Sequence, residues 1–160
     1  MAASQVAKPL ARRGKIVDKY VAKLRPTKVN GKVIGCKGAS GRMVMKITKY
    51  SATNYRYSFT TNLIKLQNGG GSPGFVSYAH SCTASNEFAD LISWYNIATD
   101  KDGRARRYSF QAFSLSEGPL ADMRRGVAQR LSNGNYFQAG YTTTGGITVY
   151  ALCGKIKKVV

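Results

Sequence analysis

His80 is the single histidine of the chain, and Cys82 lies two residues beyond it, on the same face if the segment is a regular strand. A thiol beside an imidazole is the minimum for nucleophilic catalysis, but such a site also needs an orienting acid and an oxyanion turn. Neither is recognisable around 80–82, so His80 reads as structural. Cys36, Cys82 and Cys153 are odd in number and widely spaced, with no CxxC and no Cys/His cluster. That pattern supports neither a zinc site nor a disulfide framework, and it predicts buried free thiols in a reducing compartment.

The seven acids offer little general acid/base chemistry. Asp100 and Asp102 flank Lys101 in a turn, and Glu87 and Asp90 suit the start of a helix. A two-metal constellation needs more carboxylates than so few dispersed acids provide. The segment QNGGGSPG (67–74) could cradle a phosphate, but it lacks the Lys-Ser/Thr that completes a P-loop and reads as a loop. The expectation is no enzyme, no metal and no cofactor.

The basic residues carry the strongest signal. The 160 residues hold 25 Lys+Arg against 7 Asp+Glu, a net charge of +18. Residues 1–65 hold 15 of these cations and one acid, Asp18, a net of +14; residues 66–160 hold 10 cations and 6 acids, a net of +4. A surface basic only for solubility would intersperse the signs, so the first half points to a polyanion, with RNA as the expected partner. The candidate contacts are Lys8, Arg12, Arg13, Lys15, Lys19, Lys23, Arg25 and Lys28, then Lys46, Lys49, Arg56 and Lys65 interleaved with Tyr50, Tyr55 and Tyr57, on which bases could stack. Arg104, Arg106 and Arg107 form a second cluster, which Arg124, Arg125 and Arg130 are candidates to join. No RNP1 octapeptide, KH loop or zinc finger is present, so recognition of backbone and charge is expected.

These residues must be held by something, and at 43% hydrophobic and 11% aromatic the chain can build one core. From Lys15, the apolar residues Ile16, Val17, Tyr20, Val21 and Leu24 fall at helical spacing, and Pro26 predicts the end of that helix. RMVMKITKY alternates Met43, Met45 and Ile47 with Val44, Lys46 and Thr48, and NYRYSFT places Tyr55, Tyr57 and Phe59 on one strand face. GFVSYAHSCT reads as a strand. Ser85 predicts a cap for a helix over 86–97, anchored by Phe88, Leu91 and Trp94. RRYSFQAFSLS reads as a strand, and 118–131 as a second helix with Pro119 at its start. NYFQAGYTT and GITVYALCGKIKKVV close the chain as strands about a Gly145-Gly146 hairpin.

The fold expected is mainly β: a single β-sandwich or jelly-roll-like domain of seven or eight strands, with two short connecting helices and a basic helical N-terminal extension. Residues 1–30 form the extension and 31–160 the globular domain. No apolar run reaches the length of a membrane span. The N-terminus superficially resembles an organelle transit peptide, though its retention is the expectation.

A basic arm ahead of a compact β domain rich in Gly, Ser, Thr and Tyr, with helices in the strand connections at 86–97 and 119–131, resembles the coat proteins of small RNA viruses. The resemblance covers the layout of most of the chain. It implies a jelly roll, a self-assembling homo-oligomer, RNA packaged by the basic half, and a virion as the location. The alternatives are a ribosomal or other ribonucleoprotein component, and a basic linker within an acidic protein assembly.

Overall fold

Alternation decides the middle of the molecule. In β4 (Ser40–Lys49), Met43, Met45 and Ile47 are buried while Arg42 and Lys46 lie on the opposite face, and in β5 (Tyr55–Ile64) Tyr55, Tyr57, Phe59, Thr61 and Leu63 are buried. The two strands pair antiparallel over their full length, with Met45 opposite Phe59 and Ile47 opposite Tyr57, so one continuous apolar face results. The computed structural model describes residues 14–35, 38–64, 66, 73–82, 90–96, 108–142 and 145–160.

Before these strands come β1 (Lys15–Pro26), β2 (Lys28–Val29) and β3 (Lys32–Val33). After them come β6 (Pro73–Ala79), β7 (Asp90–Asn96), β8 (Tyr108–Gly118), α1 (Leu120–Ser132), β9 (Tyr136–Thr142), β10 (Thr148–Lys155) and β11 (Lys157–Lys158). Apart from the small β2–β3 hairpin, every strand joins one antiparallel sheet of order β7-β6-β9-β10-β1-β4-β5-β8, with β11 also paired to β1. The sheet curls into a half-barrel, so that its inner faces meet. The Tyr78 hydroxyl of β6 donates to the Met45 sulfur of β4 at 3.3 Å, and the Phe59 and Phe137 rings lie 5.4 Å apart although three strands separate them in the sheet.

Helix α1 covers this core through Met123 and Val127, four residues apart on one stripe. Pro119 starts it, and it ends where Asn133 donates its N–H to the Arg130 carbonyl and Gly134 donates its own to the Leu131 carbonyl. The turn into β9 requires Gly134, whose φ is +143° and whose added Cβ would sit 2.2 Å from the Ala79 carbonyl oxygen. Among the described residues no helix is long and apolar enough to cross a membrane.

Four expectations are corrected. Residues 15–26 form not a helical extension but a long strand at the centre of the sheet, flanked by β4 on one side and by β10 and β11 on the other. Ile16, Tyr20 and Leu24 suit either period. Tertiary pairing selects the strand, turning Asp18, Ala22 and Leu24 inward and Lys19, Lys23 and Arg25 outward. Residues 90–96 of the expected helix 86–97 are strand β7, which satisfies the edge of β6; the rest of that segment lies outside the described residues. Among the described residues there is thus one helix, α1, and the strands form one curled sheet rather than the two facing sheets of a sandwich or jelly roll. The thiols are not all free: Cys82 and Cys153 form a disulfide with their Cα atoms 5.6 Å apart, tying the end of β6 to β10 across β9. Closing a chain segment of 71 residues stabilises the fold by about 4 kcal/mol in the loop-entropy account. Cys36 lies outside the described residues.

Candidate polyanion-binding face

The ladder between β1 and β4 sets cation against cation. In register, Lys15 faces Lys49, Lys19 faces Lys46 and Lys23 faces Arg42. The last two pairs lie on the outer face of the sheet, away from the core, separated by the apolar pair Val21 and Val44. Lys19 and Lys23 are four positions apart on β1, about 13 Å at the usual strand rise. Like charges directly opposite each other destabilise a sheet, so this arrangement costs stability in the free protein.

The same face continues across β1. Arg25 lies opposite Cys153 of β10, and Val21 opposite Lys157 of β11. The chain between Lys155 and Lys157 turns Ile156 inward, where it is 7% exposed and its N–H donates to the Asn135 carbonyl at 2.8 Å. Lys155 and Lys157 are left exposed on either side of it. Lys23, Arg25, Lys155 and Lys157 border a groove of about 540 Å³ with Val21, Cys153, Gly154 and Val159. Among the described residues, none of Lys19, Lys23, Arg25, Arg42, Lys46, Lys155 and Lys157 forms an ion pair with a carboxylate.

Other cations have partners. Asp18, the acid of the first 65 residues, is 2% exposed on the inner side of β1. Arg124 of α1 donates to it twice, Nε to Oδ2 at 2.8 Å and Nη2 to Oδ1 at 2.9 Å, and Lys158 Nζ lies 3.6 Å from Oδ1. The Arg124 hydrogen bonds hold the Asp18 carboxyl below the usual carboxylate range against the opposing effect of its burial, with the nearby charges of Arg124 and Lys158 adding to them. Arg125 pairs with Asp122 at 3.0 Å. The Arg130 guanidinium stands 4.6 Å from the centre of the Tyr57 ring, whose hydroxyl is pushed up in pKa by burial. Arg56 donates from Nε to Glu117 Oε1 at 3.0 Å and lies over the Tyr50 ring.

The structure therefore sorts the candidates. It brings Lys19, Lys23, Arg25 and Lys46 onto one face, with Lys15 and Lys49 at the end of the same ladder. Lys28 is exposed on the β2–β3 hairpin. Arg56 is engaged by Glu117, and the helix arginines are taken up by Asp18, Asp122 and Tyr57. Tyr55 and Tyr57 are buried in the core, so they are not a stacking platform. Lys8, Arg12, Arg13, Lys65, Arg104, Arg106 and Arg107 lie outside the described residues. Arg42, Lys155 and Lys157 are additions. The alternation that buries Met43 and Met45 already sets Arg42 beside Lys46 on the other face, and the KIKK run flags the two lysines.

An array of ammonium and planar guanidinium groups with no carboxylate partner among the described residues can hold successive phosphates of a flexible chain, releasing the counterions condensed on it. Comparison with protein-family models, with curated proteins and with solved structures gives no match to this chain.

Proposed function

We propose that this is a non-enzymatic structural protein that binds RNA through its phosphate backbone, laid across the outer face of β1 and β4. It packages that RNA in an assembly of many copies, a part of the proposal that rests on the net charge of +18 and not on a jelly-roll layout. One observation carries the binding: cations stand directly opposite cations on the β1–β4 ladder, Lys19 against Lys46 and Lys23 against Arg42, without carboxylate partners among the described residues. A sheet tolerates that repulsion at small cost, and a polyanion removes it on binding. Contacts to phosphate give affinity and position without base reading.

Deleting the basic N-terminal segment is not a clean test, because β1 is a central strand. Charge must be removed by substitution. The variant Lys19→Gln/Lys23→Gln/Arg42→Gln/Lys46→Gln, its fold checked by circular dichroism, is titrated against a fluorescent single-stranded RNA at about 0.1 M salt. Its affinity falls on the order of 100-fold. Arg125→Gln, which removes a charge already paired on α1, leaves the affinity unchanged. A folded quadruple variant that binds as tightly as the parent protein overturns the proposal.

A further inference from the structure

The groove beside the RNA-binding face differs from that face in shape. Two cations enter it from β1, Lys23 and Arg25, spaced i and i+2 and so on one side of the strand. Two enter from the facing segment, Lys155 and Lys157, again two apart, with Ile156 turned into the protein between them. Four basic residues from two segments thus line one groove of about 540 Å³ instead of spreading along a single strand. Val21, Val159 and Cys153 line the groove between them.

The frame is also stiff. Cys153 is locked to Cys82, and the Val159 N–H donates to the Lys19 carbonyl at 2.8 Å. The β10 and β1 backbones approach so closely at Gly154 that an added Cβ would lie 2.0 Å from the Lys23 carbonyl oxygen. The fixed backbone keeps the four exposed cation-bearing residues side by side before a ligand arrives, which lowers the ordering cost of binding. One carboxylate or one monophosphate neutralises too little of this cluster. A compact chain of linked phosphates matches it in charge density and in geometry.

We infer that the groove bounded by Lys23, Arg25, Lys155 and Lys157 is a separate site for an oligophosphate group, such as the 5′-triphosphate end of an RNA or a free oligophosphate. The inference rests on the RNA-binding reading for its ligand class, but it uses two residues, Lys155 and Lys157, that the β1–β4 ladder does not. The test is calorimetric titration of the full chain with inorganic tripolyphosphate. Saturable one-to-one binding is expected, weakened ~10-fold or more in Lys155→Gln/Lys157→Gln. Lys19→Gln/Lys46→Gln should lose RNA affinity and keep tripolyphosphate binding. An RNA bearing a 5′-triphosphate that outcompetes its 5′-hydroxyl counterpart identifies the RNA end as the source. Equal competition with tripolyphosphate still bound identifies a free oligophosphate. No saturable binding of tripolyphosphate by the parent protein, or binding unaltered in Lys155→Gln/Lys157→Gln, overturns the inference. Tripolyphosphate bound at the groove with no RNA bound at all would instead sink the RNA reading and leave the groove site standing.

Discussion

The arginines of α1 and the cations of the β1–β4 ladder are alike in kind and opposite in use. Arg124, Arg125 and Arg130 each meet a partner within the fold: a buried carboxylate, a neighbouring acid and an aromatic ring. Lys19, Lys23, Arg42 and Lys46 meet one another. Charge on the helix therefore helps hold the protein together, whereas charge on the sheet opposes the sheet that carries it. A binding surface is identified by cations left uncompensated at fixed positions, not by where basic residues are densest. Asp18 marks the border between the two regions. It belongs to β1, yet it faces inward to Arg124 and Lys158, leaving the outer side of its own strand without an acid.

Breaking that border has the larger expected effect. Asp18→Asn strands Arg124 and Lys158 beside each other and should destabilise the protein by about 2 kcal/mol in chemical unfolding at pH 7. This is below the 3–5 kcal/mol of a fully buried pair, because the Arg124 side chain is half exposed to screening solvent. The acid limb follows from the depressed Asp18 pKa. Its contribution is fully present above the unfolded carboxyl value of about 3.9 and is lost as pH falls through the lower folded value. The stability gap between the parent protein and Asp18→Asn should therefore close below about pH 4. A gap independent of pH would assign the Asp18 effect to packing. On the sheet the sign reverses. Lys46→Gln removes one opposed pair and should raise stability by a few tenths of a kcal/mol, or about 1 °C in Tm. A clear loss of stability would mean that Lys46 has a compensating partner.

The sequence was most legible where period and environment agree. Met43, Met45 and Ile47 against Tyr55, Tyr57 and Phe59 specify two half-buried strands, and Pro119 with the Met123–Val127 spacing specifies α1. Residues 15–26 imitate a helix because Val17 and Val21 interrupt the alternation and complete a helical stripe. Val17 lies at a register shift, where Ile16 pairs with Thr48 and Asp18 with Ile47, and Val21 packs on the outer face beside Val44. The Asn30-Gly31 dipeptide, whose φ values of 50° and 79° build the tight β2–β3 turn, is a hairpin signal present in the sequence. The Cys82–Cys153 disulfide had none, because its halves meet only through the order β6-β9-β10. For the candidate face, the cations themselves were visible in the sequence. Which of them lose their charge to a partner was not, since Arg124 and Asp18 are 106 residues apart.

The most direct test of the contrast between the two regions is the slope of log affinity for single-stranded RNA against log salt concentration. Each phosphate contact on a single strand contributes about 0.7 to that slope, so removing Lys19, Lys23, Arg42 and Lys46 together should make it shallower by roughly 3, while Arg125→Gln should not alter it. An unchanged slope in the quadruple variant, or a slope that falls with Arg125→Gln, would contradict the account.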